Sequence, residues 1–599
     1  MPKIPARSEI DPKYTWNAES VFKSPEEWQI EADAILAAIP AVKDFQGTLS
    51  EGPAVLANAL EAIEVLQVRA ERVYMYAGFS YNVDTTDQAA AAMADKAGGI
   101  YGQVVAASAY LRPEMLEIGE QALRQWVAAE PRLSAYEHFI HDLFRKQAHV
   151  RSSEVEEILG MLADPFGGPE SSTDMLTNAD FKFPPVQTAN GDELDLTQGS
   201  LRKILSGPDR NARQRAWTQY HETYLVHKNT LATNLATSIK QNVFLMRARK
   251  HESTLEMSLF ENNIDTAVFH NLIDVFKKNL PVWQRYFEIR RKALGVDELH
   301  PYDLWAPLNA ESPALSFEQA VDWVCEGLAP MGEEYVTTVR KGCLEERWVD
   351  VYPNQGKSNG AFSWGSPGTH PFIMMSFNDD MLGLSTLAHE LGHSMHSYLT
   401  WQNQPLAYSD YSLFIAEVAS NFNQALVRGY LLESNSDENF QIAVIEEAMS
   451  NFFRYFFIMP TLARFELEIH ERVEKGQALT ADTMMTLMAD LFAEGYGDTV
   501  KVDREIVGMI WSTFGHLFAD YYVYAYATGI SGAHALSRRV LDGVPNAVED
   551  YTKFLKAGSS LYPLDALKVA GVDLTKPDSV EETFAVMASY IDRLETLTA

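Results

Sequence analysis

Cysteine is nearly absent: Cys325 and Cys343 are the only two in 599 residues. They make neither a disulfide framework nor paired metal knuckles, which fits a reducing cytoplasm. Excess positive charge is also missing. Lys and Arg number 49 against 82 Asp and Glu, a formal net charge of −33. Such a surface repels nucleic acid and anionic membranes, so neither is an expected partner. No window reaches the roughly 18 uninterrupted apolar residues that span a bilayer. The opening MPKIPARSEIDPKYTWNAESVF puts charges and prolines where a signal peptide needs an apolar core. A soluble chain without a leader is therefore expected. Fixed-period repeats and low-complexity tracts are lacking too. What remains is 46% hydrophobic and 22% charged, an ordinary composition for a globular protein.

Apolar residues at three and four spacing fill Pro53–Tyr81, Thr86–Leu111 and Asn211–Arg249, which predicts a mainly α fold. Strand signals concentrate between Trp348 and Phe377. There WVDVYP and PFIMMSF flank the Gly/Ser-rich GKSNGAFSWGSPGTH, so a small β-sheet is expected. PFIMMSF could accept an extended peptide as a further strand, with Gly360, Gly365 and Gly368 allowing hinge motion or close approach of substrate. The alternative is an ordinary buried strand beside a flexible loop. Asp164–Ser200, rich in Pro, Gly, Asn and Ser, interrupts the helical pattern and suggests a boundary between an N-terminal helical region, 1–185, and a second region, 200–590.

The chemistry gathers at His389-Glu390-Leu391-Gly392-His393. Two imidazoles four residues apart lie one turn apart on one helical face. Glu390, beside the first, can reach a metal-activated water without being a ligand. With 15 His in the chain, an accidental HExxH arises in roughly one such chain in forty. Context lowers that chance: Asp379-Asp380 can cap the helix MLGLSTLAHELGHSMHSYL, whose apolar run is too continuous for an exposed helix. Paired histidines hydrogen-bonded in a core are the alternative. A catalytic zinc commonly takes three protein ligands and a water. His396 lies on a similar face, but about 10.5 Å along the axis from His389, too far to converge on one ion. Glu417, among the apolar Phe414, Ile415, Val418 and Ala419, is costly to bury without a cation. Either zinc or a buried Arg or Lys would supply one.

The ordered set RSEIDPKYTW, RWVDVYPNQGKSNGAFSWGSPGTHPFIMMSF, HELGHSMHSYL, FIAEVASNFNQAL and HLFADYYVYAYATG covers most of the chain. In it the sequence resembles the M3 family of metallopeptidases and its oligoendopeptidase F branch. The resemblance implies a multi-lobed ellipsoidal helical enzyme with a deep central channel, a small sheet beside the HExxH helix, and a small N-terminal lobe at about 113–185. It implies one Zn²⁺ per chain held by His389, His393 and Glu417, with Glu390 as general base. Tyr524 matches a tyrosine facing the oxyanion, Tyr521 lies one turn earlier, and His516 is a further donor. Short unstructured peptides would be the substrates, cut internally, by a cytoplasmic monomer or homodimer. Two departures stand out. Gln424 replaces the glutamate expected after Phe422-Asn423, and Gly515 stands where proline is expected before His516. Two other classes of function remain in view: a non-catalytic peptide-binding protein on the same fold, and an exopeptidase such as a dipeptidyl carboxypeptidase. The latter needs a group that holds a substrate terminus.

Overall fold

The three-and-four apolar spacing does build helices. The computed structural model, which describes residues 4–309 and 313–599, places them at Pro53–Val83, Gln88–Ala107 and Leu111–Ile118. Pro53 occupies the first turn of its helix, where its missing N–H costs nothing. Asp87 starts the next helix by accepting from the N–H groups of Ala89 and Ala90. The segment expected as one helix, Asn211–Arg249, is two, Arg210–Val226 and Lys228–Arg249. His227 breaks it because its N–H bonds to Tyr224 three residues back and the ladder restarts there. Helices also enter the Pro/Gly-rich stretch expected to interrupt them, at Ala163–Phe166 and Gly168–Asp174. Pro169 sits in the first turn of the latter, where proline favours a helix rather than ending it.

Two sheets occur among the described residues. The first is a two-stranded antiparallel ribbon, Val186–Gln187 with Glu193–Leu194. The second has three strands, with Phe372–Met374 in the centre, Val349–Asp350 parallel to it and Phe362–Trp364 antiparallel. PFIMMSF is therefore paired on both sides and buried, which corrects its reading as an acceptor of a further strand. The antiparallel edge strand, Phe362–Trp364, comes from the segment read as loop. Phe372 and Met374 pack against Trp16, Met75 and Phe79. Asp350, fully buried, is held by Lys357 at 2.7 Å and by Arg7, so the charge at the parallel edge is compensated.

The chain divides into two compact units. One comprises 1–148, 314–431 and 536–571, and the other 149–313, 432–535 and 572–599. The first holds the three-stranded sheet and an apolar core running from Trp28 to Ile140. The second holds a phenylalanine-rich core that includes Phe276, Phe287, Phe453 and Phe457 around Trp283. No helix among the described residues is long and apolar enough to cross a membrane.

Candidate metal centre

The pentad lies in the helix Met381–Asn403. As its sequence suggests, Asp380 caps it, accepting from the Gly383 N–H at 2.8 Å. A second helix, Leu413–Ser434, carries Glu417. The two touch where Gly392 meets the backbone of Ala419 and Ser420, and a Cβ at position 392 would run into that carbonyl. This close approach brings the side chains together. His389 Nε2 lies 3.3 Å from His393 Nε2 and 3.5 Å from Glu417 Oε2. One ligand atom from each of the three falls within 4.8 Å of the others. The imidazole planes stand at 84°, so their in-plane lone pairs approach one point from different directions.

Gln424 settles which nitrogen of His389 faces that point. Its amide nitrogen donates to Ser385 Oγ at 2.7 Å and to the Ser385 carbonyl at 3.3 Å. A carbonyl only accepts, so the amide oxygen must be the atom 3.2 Å from His389 Nδ1. Nδ1 is then the protonated nitrogen and Nε2 carries the lone pair, the tautomer a metal needs. The glutamine thus fills the place where a carboxylate is expected. Ser385, which sequence reading did not single out, is its anchor. Its only sequence signal is its place one turn before His389. Ser420 donates to Glu417 Oε2 at 3.1 Å and steadies the carboxylate.

Glu390 is 5% exposed, and its Oε2 has no hydrogen-bond partner. Burial pushes its carboxyl up to about 7 and Glu417 adds to the rise, while His389 opposes it. Burial, then His389, brings His393 down to about 4, which keeps it neutral. His396 is fully buried, stacks on Tyr411 at 3.6 Å and is brought down to about 3 by burial. Its role is packing. Gly360, with φ +91°, has open space around it. Gly365 abuts the Trp401 ring and Gly368 the Arg72 guanidinium, so a side chain at either position would meet an indole or a guanidinium.

The remaining candidates belong to the second unit. Tyr524 begins the helix Tyr524–Leu541 and is 4% exposed against the Phe269 ring. Its hydroxyl is raised by burial, then by Glu466. Tyr521 takes φ +51°, donates its N–H to Glu466 at 2.7 Å and shares a hydrogen bond with Thr254 through its hydroxyl. That hydroxyl is occupied within the core. His516 lies in the short turn Gly515–Phe518, near Tyr522 and Tyr526, whose hydroxyls are 3.0 Å apart. Burial, then Arg454, lowers its pKa. Gly515 has neither a positive φ nor a close neighbour, so nothing here requires glycine.

Two imidazole nitrogens and a carboxylate oxygen, on two helices beside a buried unpartnered carboxylate, define a metallohydrolase of the HExxH type. The donor set fits a divalent metal. The model of Peptidase family M3 matches residues 204–586, and that of Oligopeptidase F matches 114–183. The chain is 38% identical to oligopeptidase PepF of Bacillus subtilis over 99% of its own length and 89% of that protein. It is 34% identical to group B oligopeptidase PepB of Streptococcus agalactiae, over 99% and 98%. Among solved structures, oligoendopeptidase-F from Enterococcus faecium superposes with a TM-score of 0.74 at 30% identity, covering 96% of this chain and 99% of that one. The chain belongs to peptidase family M3 and is a metallopeptidase of its oligopeptidase F branch.

Proposed function

We propose that this metallopeptidase is a zinc-dependent oligoendopeptidase that hydrolyses internal bonds of short unstructured peptides. One Zn²⁺ per chain is held by His389 Nε2, His393 Nε2 and Glu417. The observation that carries this is the convergence of those three donors within 4.8 Å, with His389 locked in the ligating tautomer by Gln424. When bound, the ion supplies Lewis acidity for the scissile carbonyl and acidifies water. Glu390 takes the proton of the attacking water and delivers it to the leaving nitrogen, a task suited to a carboxyl near 7. Tyr524 and His516 donate to the developing oxyanion. The peptide backbone lies along the edge strand Phe362–Trp364, which Gly360 precedes. Two unpaired buried thiols, Cys325 and Cys343, support a cytoplasmic location.

The non-catalytic reading is not favoured, because the chain belongs to a peptidase family and keeps His389, His393 and Glu417 grouped beside Glu390. Glu390→Gln tests the mechanism. It is expected to retain one zinc per chain by elemental analysis while turnover of a quenched fluorescent peptide falls by about a hundred- to ten-thousand-fold. Wild-type-like turnover by the zinc-loaded variant would remove Glu390 from the mechanism. Resistance of an intact folded protein, in the same assay, checks the restriction to unstructured peptides.

A further inference from the structure

In a chain with a net charge of −33, two arginines of the second unit stand without a carboxylate. Arg202 lies over the Trp305 ring at 3.2 Å and donates to Ser450 Oγ at 2.6 Å. Arg454 is four residues beyond Ser450, in the π-turn Phe453–Ile458, and so one turn away from the same spot. Among the described residues no hydrogen bond or ion pair reaches Arg454, and its cation lies 5.6 Å from the Tyr455 ring. The carboxylate of Glu446 is engaged elsewhere, by Arg290 at 3.5 Å and the Leu308 N–H at 2.9 Å.

The two guanidiniums are not an ordinary solvated surface pair. Arg202 is open to solvent, yet burial, then the charges of Arg454 and Arg290, pushes it down to about 9. The Trp305 ring flanks it on one side and the charge of Arg454 lies nearby. Like charges crowded into such a place repel at reduced screening, and an anion relieves them. Within the second unit a chain of rings runs from this pair to His516. Tyr455 stacks on Tyr526 at 5.0 Å, and Tyr526 lies 5.9 Å from His516, which the proposed function assigns to the substrate.

Resting on that reading, we propose that Arg202 and Arg454, with Ser450, bind the free C-terminal carboxylate of the peptide substrate. A planar guanidinium matches a carboxylate with two parallel N–H donors, and its partner supplies the second charge. Trp305 holds Arg202 flat in advance, so little side-chain freedom is lost on binding. The site selects peptides by their end while leaving the residues at the cut unread.

Two quenched peptides of one sequence, ending in acid or amide, test this. Wild-type KM is expected to be at least about tenfold lower for the acid, with kcat similar. Arg202→Met and Arg454→Gln should each bring the two KM values together, and Arg202→Lys should retain part of the difference. Circular dichroism melts confirm that the variants fold, and Arg454, being exposed, tolerates replacement. Equal wild-type KM values, or a ratio unchanged in both variants, overturn the proposal. If wild type cuts neither peptide, the proposed activity fails, and fluorescence anisotropy of the labelled acid and amide on the intact protein decides the site separately. Tighter binding of the acid, lost in the variants, upholds it, and equal binding rejects it. An amidated peptide with a near-terminal aspartate that recovers the low KM would reject the terminus as the group bound.

Discussion

Gln424 carries no charge, yet it fixes the proton on His389 Nδ1 because Ser385 leaves its amide only one orientation. Gln424→Ala frees the ring, and metal affinity is expected to fall about ten- to a hundredfold. Gln424→Glu places a carboxylate on Nδ1, makes the ligand more basic and should tighten binding. Competition with a chromogenic chelator measures both, and equal affinities in all three proteins would deny the tautomer lock. Glu390 makes a second case. Its carboxyl rises from the ordinary 4.5 to about 7, so between those values the metal-free folded state holds a proton that the unfolded state has lost. Stability of the metal-free protein therefore falls as pH rises through that window. Glu390→Gln removes the loss, and its melting temperature should exceed that of wild type by more at pH 8 than at pH 5. A gap independent of pH would contradict the burial effect. His389, Glu390 and His393 stood out by residue type and helical spacing, whereas Glu417, which the fold brings beside the two histidines, was left between a metal and a buried cation until the family resemblance marked it. Ser385 was not, since its importance arises only from Gln424, thirty-nine residues on.

At the level of elements, the pentad helix was legible down to its Asp380 cap, because caps and helical periodicity are local. The sheet was not. Which of three short strands lies in the middle depends on pairings that sequence alternation does not encode, and PFIMMSF proved central. Close packing was equally hidden. Gly392 reads as a filler of the motif, whereas it is the point where two helices meet backbone to side-chain position. Gly392→Ala pushes Ala419 and Ser420 away and carries Glu417 with them. We expect a loss of about 1–3 kcal/mol in stability together with weaker metal retention, read by denaturant melts and by chelator competition. A variant with native stability and native metal affinity would mean that the helices slide without consequence.

Over the whole molecule, composition and charge argued against nucleic-acid and membrane partners but were silent on how the chain is shared out. Each compact unit draws on three separated stretches of sequence, and contacts between such distant stretches leave no periodic trace. The junctions fall at 148–149, 313–314, 431–432, 535–536 and 571–572. Residues before the first junction are fastened to later ones of the same unit, as where the Phe139 N–H reaches the Tyr408 hydroxyl at 3.0 Å and His141 meets Tyr562 at 3.1 Å. A break in the covalent chain there does not free a half. With a protease site engineered at the exposed Val150, the nicked protein should migrate as one species on a native gel and as two under denaturing conditions. Two genes encoding the pieces should then complement one another when expressed together.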